Sequence, residues 1–385
     1  MFSKQTRKRI LIFLLCLFGI TALTNCAPKS NRFGVVFTND YADIYRIPDN
    51  TKREVEQLTY TPNVGEYPFL VSKNGEKIIF EVGLTGNAEE RQQNVYVLDT
   101  SSKEITNITN VFTTYAMVSH DFSADWSPDE KQFVTVDYGG SGYESESFLA
   151  LIDFNGENRR EIPIPTPKDI PSLIQSAEWS PDGKKFVLTR GVIGLEQQQQ
   201  QQNPGSAILV YYLESGNLVQ ITDYLDGCLP RGWSPDSKKI VTTCSPNFPY
   251  MNENASFLPE TVRIFDVENP GQPYEHIAFT SCENPSWSPD GKQIAFVCNK
   301  DENHKGLFIV NSDGNGIHEI KLGSSGNPAV LNTPIWSPDG KQIVYVAGDD
   351  YKQTNIYSIY LDDSSNHILT NQDDVYRLVA VYSSP

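Results

Sequence analysis

The chain has 385 residues, room for two ordinary domains or for one large all-β repeat array. It carries 48 acidic against 31 basic side chains, a formal net charge of −17. Such a surface repels phosphate backbones and anionic lipid headgroups, which excludes nucleic acid as an expected partner.

In chain order, the first feature is a leader. Lys4, Arg7, Lys8 and Arg9 make a basic start, and "ILIFLLCLFGITAL" follows over residues 10–23. That apolar run is too short to span a bilayer comfortably as a helix, and it reads as a signal-peptide core. It ends in Leu23-Thr24-Asn25-Cys26, which resembles a bacterial lipobox with Asn25 standing where a small residue is the norm. The resemblance implies cleavage before Cys26 and lipidation of its thiol. The expected layout is a lipoprotein signal peptide over residues 1–25, a short lipid-anchored tether over 26–31 and a single domain over 32–385. The body then lies outside the cytoplasm, anchored to a bacterial cell membrane or outer membrane. Without the four leader cations about 27 basic side chains face 48 acidic ones, a net charge of about −21. That acidity is read as solubility.

Residues 33–59 contain three strand-like runs, "FGVVFT", "DIYRIP" and "EVEQLT". A repeat then begins. "LVSKNGEKIIFEV" is a weak first copy around Val71, and five strong copies follow at Trp126, Trp179, Trp233, Trp287 and Trp336, which are all the tryptophans present. Each is followed by Ser-Pro-Asp, usually Gly-Lys, and an apolar-alternating run such as "KFVLT" or "QIVYV". Pro presets φ, Asp bonds its own backbone and Gly accepts positive φ, so the motif is a tight turn between two strands. Each period also carries two later strands, for example "AILVYYL" then "LVQIT".

The Trp-equivalent positions are 55, 53, 54, 54, 49 and 47 residues apart, the last being Ser383 in "VAVYSSP". A period near 50 with four antiparallel strands per unit predicts propeller blades. The runs at 33–59 supply second, third and fourth strands with no first, and the C-terminus supplies a first strand with no others. Together they make one blade, which closes the ring without an open edge. The fold class is therefore all-β, a seven-bladed propeller of four-stranded antiparallel blades, with six or eight blades as the alternative count.

The W-S-P-D-G-K hairpin followed by "IYxxxL…xxLT" resembles the TolB-type propeller repeat over nearly the whole chain after the leader. The resemblance implies the fold; propellers host many activities. Two features depart from that family. Blade strands begin by Phe33, with no separate N-terminal α/β domain, and seven blades are counted where the family has six. The repeat is also similar to the propellers of prolyl-oligopeptidase-like enzymes, but seven blades would use all of these residues, so an attached hydrolase domain is not expected.

Six cysteines are present. Cys16 leaves with the leader, and Cys26 is the lipid site. Cys228 and Cys282 each stand five residues before the motif Trp, and Cys244 and Cys298 each stand eleven after it. In hairpins centred on Asp236 and Asp290, the members of each pair face each other within disulfide reach. The expected bridges are Cys228–Cys244 and Cys282–Cys298, which an exported location permits. A zinc site is the functional rival, although structural zinc sites usually show close Cys pairs; free structural thiols are the other alternative.

The Ser-Pro-Asp turns and the turns between third and fourth strands share one face of such a ring. The loops between second and third strands share the other. They are long and unlike: "YGGSGYESES", "GVIGLEQQQQQQNPGS", "SPNFPYMNENASFLPE". Binding residues concentrate on variable loops held by rigid scaffolds. The glutamine run at 197–202 reads as a solvated loop. The crossings between blades place His120, Asp121, Asp226, Arg231, Glu283 and Asn284 near the funnel mouth as ligand candidates. His120 with Asp121 is the most suggestive base or metal-ligand pair, against the plain reading of a surface His beside an Asp. His276, His304, His318 and His367 are scattered over outer strands and a loop.

No G-x-S-x-G elbow is present, and "NSDGNG" and "DDSSN" read as turns rather than calcium loops. No catalytic residue is assigned. No cofactor is expected, with a structural metal ion in the funnel left open. The resulting expectation is a non-catalytic envelope lipoprotein that binds a protein, peptide or glycan through its loop face and funnel. The alternative is a metal-dependent propeller lyase or hydrolase.

Overall fold

The Ser-Pro-Asp turn folds through one side-chain relay, seen in the computed structural model, which describes residues 32–39, 43–60, 64–84, 94–108, 124–139, 146–167, 172–192, 205–245, 261–270, 273–276, 281–300, 304–322, 330–348, 354–370 and 375–384. In one copy the Ser180 hydroxyl donates to Asp182 Oδ1 at 2.6 Å and accepts the Lys185 N–H at 2.9 Å. Asp182 Oδ1 also accepts the Lys184 N–H at 3.0 Å, and the Ser180 carbonyl accepts the Gly183 N–H at 2.9 Å. Ser127, Ser234, Ser288 and Ser337 pair in the same way with Asp129, Asp236, Asp290 and Asp339, and Ser72 pairs with Asn74. The next residue is left-handed in all six: Gly75, Glu130, Gly183, Ser237, Gly291 and Gly340. Hence Gly is preferred there, and Glu130 and Ser237 carry a conformational cost unless their side chains repay it.

The relays join strands into seven four-stranded antiparallel sheets arranged as a ring, a seven-bladed β-propeller. In six blades the four strands are consecutive in the chain. Their first strands are Val64–Val71, Ala124–Trp126, Ser172–Trp179, Cys228–Trp233, Cys282–Trp287 and Val330–Trp336, in blades 2 to 7. In blade 1 the first strand is the C-terminal Val375–Ser383, paired antiparallel with Phe33–Asn39, with Val35 opposite Val381. Ile44–Ile47 and Glu56–Gln57 complete that blade. The split blade expected from the sequence is present. First strands of neighbouring blades pack on one another around most of the ring, so they form its inner wall.

Seven apolar clusters hold the ring, and each belongs to the seam between two blades. Five of them hold a motif tryptophan. Trp126, Trp179, Trp233 and Trp336 are buried in the seam with the preceding blade, and Trp287 packs half-buried against its own. The seam between blade 1 and the following blade 2 has Tyr382 from the C-terminal strand. A Cβ at Gly34 or Gly75 would overlap the Tyr382 ring, so the closing seam accepts its aromatic only because both positions are glycine.

The turns also interlock. A Cβ at Gly183, Gly291 or Gly340 would lie 3.6, 3.4 or 3.6 Å from Pro128, Pro235 or Pro289 of the preceding blade. The two non-glycine copies reach the same neighbour by hydrogen bonds: Glu130 accepts the Lys73 N–H, and the Ser237 hydroxyl accepts the Asp182 N–H at 3.0 Å. Lys73 stands where most copies have Pro, and so has an N–H to satisfy.

The leader, Cys26 and the tether, together with His120, Asp121 and the glutamine run, lie outside the described residues. Among the described residues no helix is long and apolar enough to cross a membrane.

Candidate functional site

Four of the sequence candidates lie at the loop-face end of blades 5 and 6. The crossing into blade 5 makes a single 3-10 turn, Tyr224–Asp226, ended by Gly227 in the left-handed region at φ 54°. The Asp226 carboxylate accepts the Asp223 N–H at 3.2 Å, which fixes the turn. It also accepts Arg263 Nη1 from the third strand of the blade, at 3.1 Å. Arg231 sits at a bulge between Pro230 and Gly232 and donates from Nε to the Thr243 hydroxyl at 2.8 Å. Glu283 accepts the ammonium of Lys305. Asn284 is left-handed, at φ 52°, inside the bulge between Glu283 and Ser286.

The fold thus brings these residues to adjacent first strands, but each side-chain contact stays within its own blade. The arrangement is two half-buried ion pairs and a held guanidinium set side by side. It offers fixed charges of both signs to a polar ligand, and no nucleophile with an adjacent base. Among the described residues no group of three or more His, Cys, Asp or Glu is placed to hold a metal ion.

Two disulfides brace this end. Cys228 and Cys244 are directly paired across the hairpin, as are Cys282 and Cys298, with Cα atoms 4.0 and 4.1 Å apart. All four cysteines are buried. Each bridge ties the first strand, where the crossing enters, to the second strand, where the variable loop leaves. The base of the loops on blades 5 and 6 is therefore covalently pinned.

A second constellation lies toward the opposite end of the same inner wall. Asp125 and Glu178 each immediately precede the motif Trp of their blades. Asp125 Oδ2 accepts the backbone N–H of Trp179 from the next blade at 2.7 Å. Burial, and then the charge of Glu178, raise the Asp125 carboxyl to about 7; hydrogen bonds from the Trp179 and Trp126 N–H groups and the charge of Lys73 pull the other way. Burial also raises Glu178, against the pull of Arg231. These two acids were missed in reading the sequence. The available signal was the residue before each motif Trp: Asp125, Glu178, Gly232, Ser286 and Ile335, acidic in two neighbouring blades only.

No family model matches the sequence, and no curated protein matches it. Solved structures do match. One, from a structural and mechanistic study of two prolyl endopeptidases, has a TM-score of 0.61 at 14% identity, covering 89% of this chain and 48% of that one. This chain spans about half the length of that protein. An oligogalacturonate lyase from Vibrio parahaemolyticus has a TM-score of 0.54 at 14% identity, covering 88% of this chain and 84% of the lyase. A TolB from Acinetobacter baumannii is 16% identical over 89% of this chain and 80% of its own, with a TM-score of 0.46. What these proteins share with this chain is the β-propeller. Proteins of that fold do unlike things, so activity has to be argued from this chain's own residues.

Proposed function

We propose that this protein is a non-catalytic propeller of the bacterial cell envelope, anchored through a lipid on Cys26, that binds a protein, peptide or glycan on its loop face and funnel mouth. The observation that carries the reading is the placement of both disulfides. They stiffen the loop-face end of two adjacent blades, where the second strands end, beside the Asp226–Arg263 and Glu283–Lys305 pairs. A rigid base under variable loops is how scaffolds present recognition surfaces. Polar pairs that are only half desolvated exchange partners with a ligand at modest cost, which suits peptide or sugar hydroxyl and amide groups. The leader supports the location, since an exported chain meets the oxidising conditions in which such bridges persist.

The test has two parts. Mass spectrometry of the membrane fraction should find a diacylglyceryl group on Cys26. Isothermal titration of the mature protein against envelope peptides and cell-wall glycan fragments should show binding that Asp226→Ala combined with Glu283→Ala reduces at least tenfold, a loss of about 1.4 kcal/mol. An unmodified soluble N-terminus would refute the anchor. Binding unchanged by the double substitution would refute the site.

A further inference from the structure

We propose that Arg190, at the loop-face end of the seam between blades 3 and 4, anchors an anion site that takes a carboxylate group of a ligand. Arg190 lies on the second strand of blade 4, Lys185–Val192, opposite Ile174 of the first strand and Ala207 of the third. Only 4% of it is exposed. Its Nη2 crosses the seam and donates to the Pro165 carbonyl, just past the fourth strand of blade 3, at 2.5 Å. Nε is enclosed and has no partner. Nη1 is likewise unbonded but is not enclosed, so it is the edge a ligand meets. Among the described residues no ion pair joins the guanidinium to an acid.

The other tryptophan blades treat this position differently. Eleven residues after the motif Trp stand Asp137, Arg190, Cys244, Cys298 and Ala347, all buried. The two cysteines are bridged, and the alanine is apolar. Asp137 is answered by Arg159 of its own blade at 2.7 Å. Arg190 is the one charge of the five without a counter-charge. A guanidinium does not shed its proton in a protein, so it cannot escape burial by becoming neutral. A buried charge is tolerated when it is paired, and here the partner has to come from outside the chain.

A second donor stands beside it. The Ser147 hydroxyl of blade 3 accepts the Ile174 N–H at 2.9 Å, at the position opposite Arg190, and so keeps its own proton to donate. Both donors are held across the seam by backbone groups, the guanidinium by the Pro165 carbonyl and the hydroxyl by the Ile174 N–H. They are fixed before a ligand arrives, which lowers the cost of binding. A carboxylate fits on two counts. It is planar and offers two acceptor oxygens, the shape a guanidinium recognises. It also carries a single charge, which a chain of net charge −17 resists less than a doubly charged phosphate. The site is separate from the Asp226 and Glu283 pairs of blades 5 and 6, and its failure would leave their reading untouched.

Melting of the protein at about pH 7, where acetate is ionised, supplies the readout. Sodium acetate, sodium phosphate and sodium chloride are each compared with sodium fluoride at the same ionic strength. The wild type should melt higher in acetate, by a shift that grows with acetate concentration, and should melt in phosphate and chloride as it does in fluoride. Arg190→Met should lose the acetate shift and melt no lower than the wild type in fluoride, because an apolar side chain replaces an uncompensated charge. Arg190→Lys, which keeps the charge without the planar fork, should need at least tenfold more acetate for the same shift. No acetate shift in the wild type overturns the proposal, and that result stands even if a variant fails to fold. A shift retained in Arg190→Met overturns it too. An equal shift in chloride or phosphate overturns the carboxylate class. A lower melting temperature of Arg190→Met in fluoride makes the residue structural and overturns the site.

Discussion

The two ends of each first strand obey different rules. At the turn end, six copies repeat one serine–acid or serine–amide relay, and the contacts they make beyond it reach the neighbouring blade: Glu130 to Lys73, Ser237 to Asp182, and three glycines against three prolines. At the loop end, the candidate residues are answered within their own blades, Asp226 by Arg263, Arg231 by Thr243, Glu283 by Lys305 and each cysteine by the strand opposite, while seam bonds such as Ser206 to the Cys228 carbonyl and the Ile174 N–H to Ser147 are made by other residues. A change in the turn relay is felt by two blades, and a change at Asp226 or Glu283 breaks a pair within one. Repetition is retained where neighbours must interlock, and variety is free where they need not. On that asymmetry rests the proposal that the loop end is the place for recognition.

The largest effect should come from opening the ring. Deleting residues 375–385 removes the first strand of blade 1, leaves Phe33–Asn39 unpaired on one side and empties the closing seam of Tyr382. Calorimetry should then show no single cooperative transition. A melting curve like that of the full chain would mean that the two ends of the strands are not coupled through closure.

Next is Trp179→Ala at the turn end, which should cost roughly 3–5 kcal/mol in denaturant unfolding, because the ring leaves the seam of blades 3 and 4. The loop-end counterpart, Cys228→Ala with Cys244→Ala, removes a bridge of sequence separation 16. Chain-entropy arguments allow about 3 kcal/mol at most, and the paired hairpin already holds the ends together, so the loss should be smaller than that of the tryptophan. A larger loss would reverse the ranking of the two ends.

The turn end should also show its own response to acid. The Ser127, Ser234 and Ser288 hydroxyls, with lesser help from the following N–H groups and lysines, hold Asp129, Asp236 and Asp290 below the usual carboxylate range. Their contribution is present above the ordinary value and lost as pH falls through and below it. The melting temperature should therefore drop in acid, and replacing all three by Asn should flatten the drop. Asp125, which burial raises, responds with the opposite sign, so a pH series separates the two.

The smallest stability effect belongs to the proposed recognition surface. Asp226→Ala with Glu283→Ala breaks two half-exposed pairs, and melting should move by about 1 kcal/mol or less while ligand binding is lost. Should this variant melt early and keep its ligand, the roles of the two ends are exchanged.

Much of this was legible in the sequence because it is local. The turn relay closes between residues only five positions apart, Ser180 and Lys185, and so it appears as a motif. The disulfide pairs follow from counting outward from Asp236 and Asp290, since an antiparallel hairpin has one register once its turn is known. The split blade was legible because a strand deficit at one end matched a strand surplus at the other. The mouth was legible only as a neighbourhood. That Asp226 would take Arg263, or Glu283 take Lys305, depends on how far the third strand leans over the crossing, and no spacing records that.

By itself, then, the sequence determined the number of blades, the turn that makes each one, the strand that closes the ring and the cysteines that bridge. These are short-range hydrogen-bond and register effects, repeated often enough to be counted. Only the tertiary structure decided what meets across a seam: Tyr382 over Gly34 and Gly75, the glycine of one turn against the proline of the last, and Asp125 on the backbone of Trp179 beside Glu178. The glycine–proline contacts and the Asp125 bond join residues about 50 positions apart in neighbouring blades, and Tyr382 comes to Gly75 from the far end of the chain. Their geometry is set by the angle at which seven sheets must lean to close a circle, a property of the whole ring that no single repeat contains.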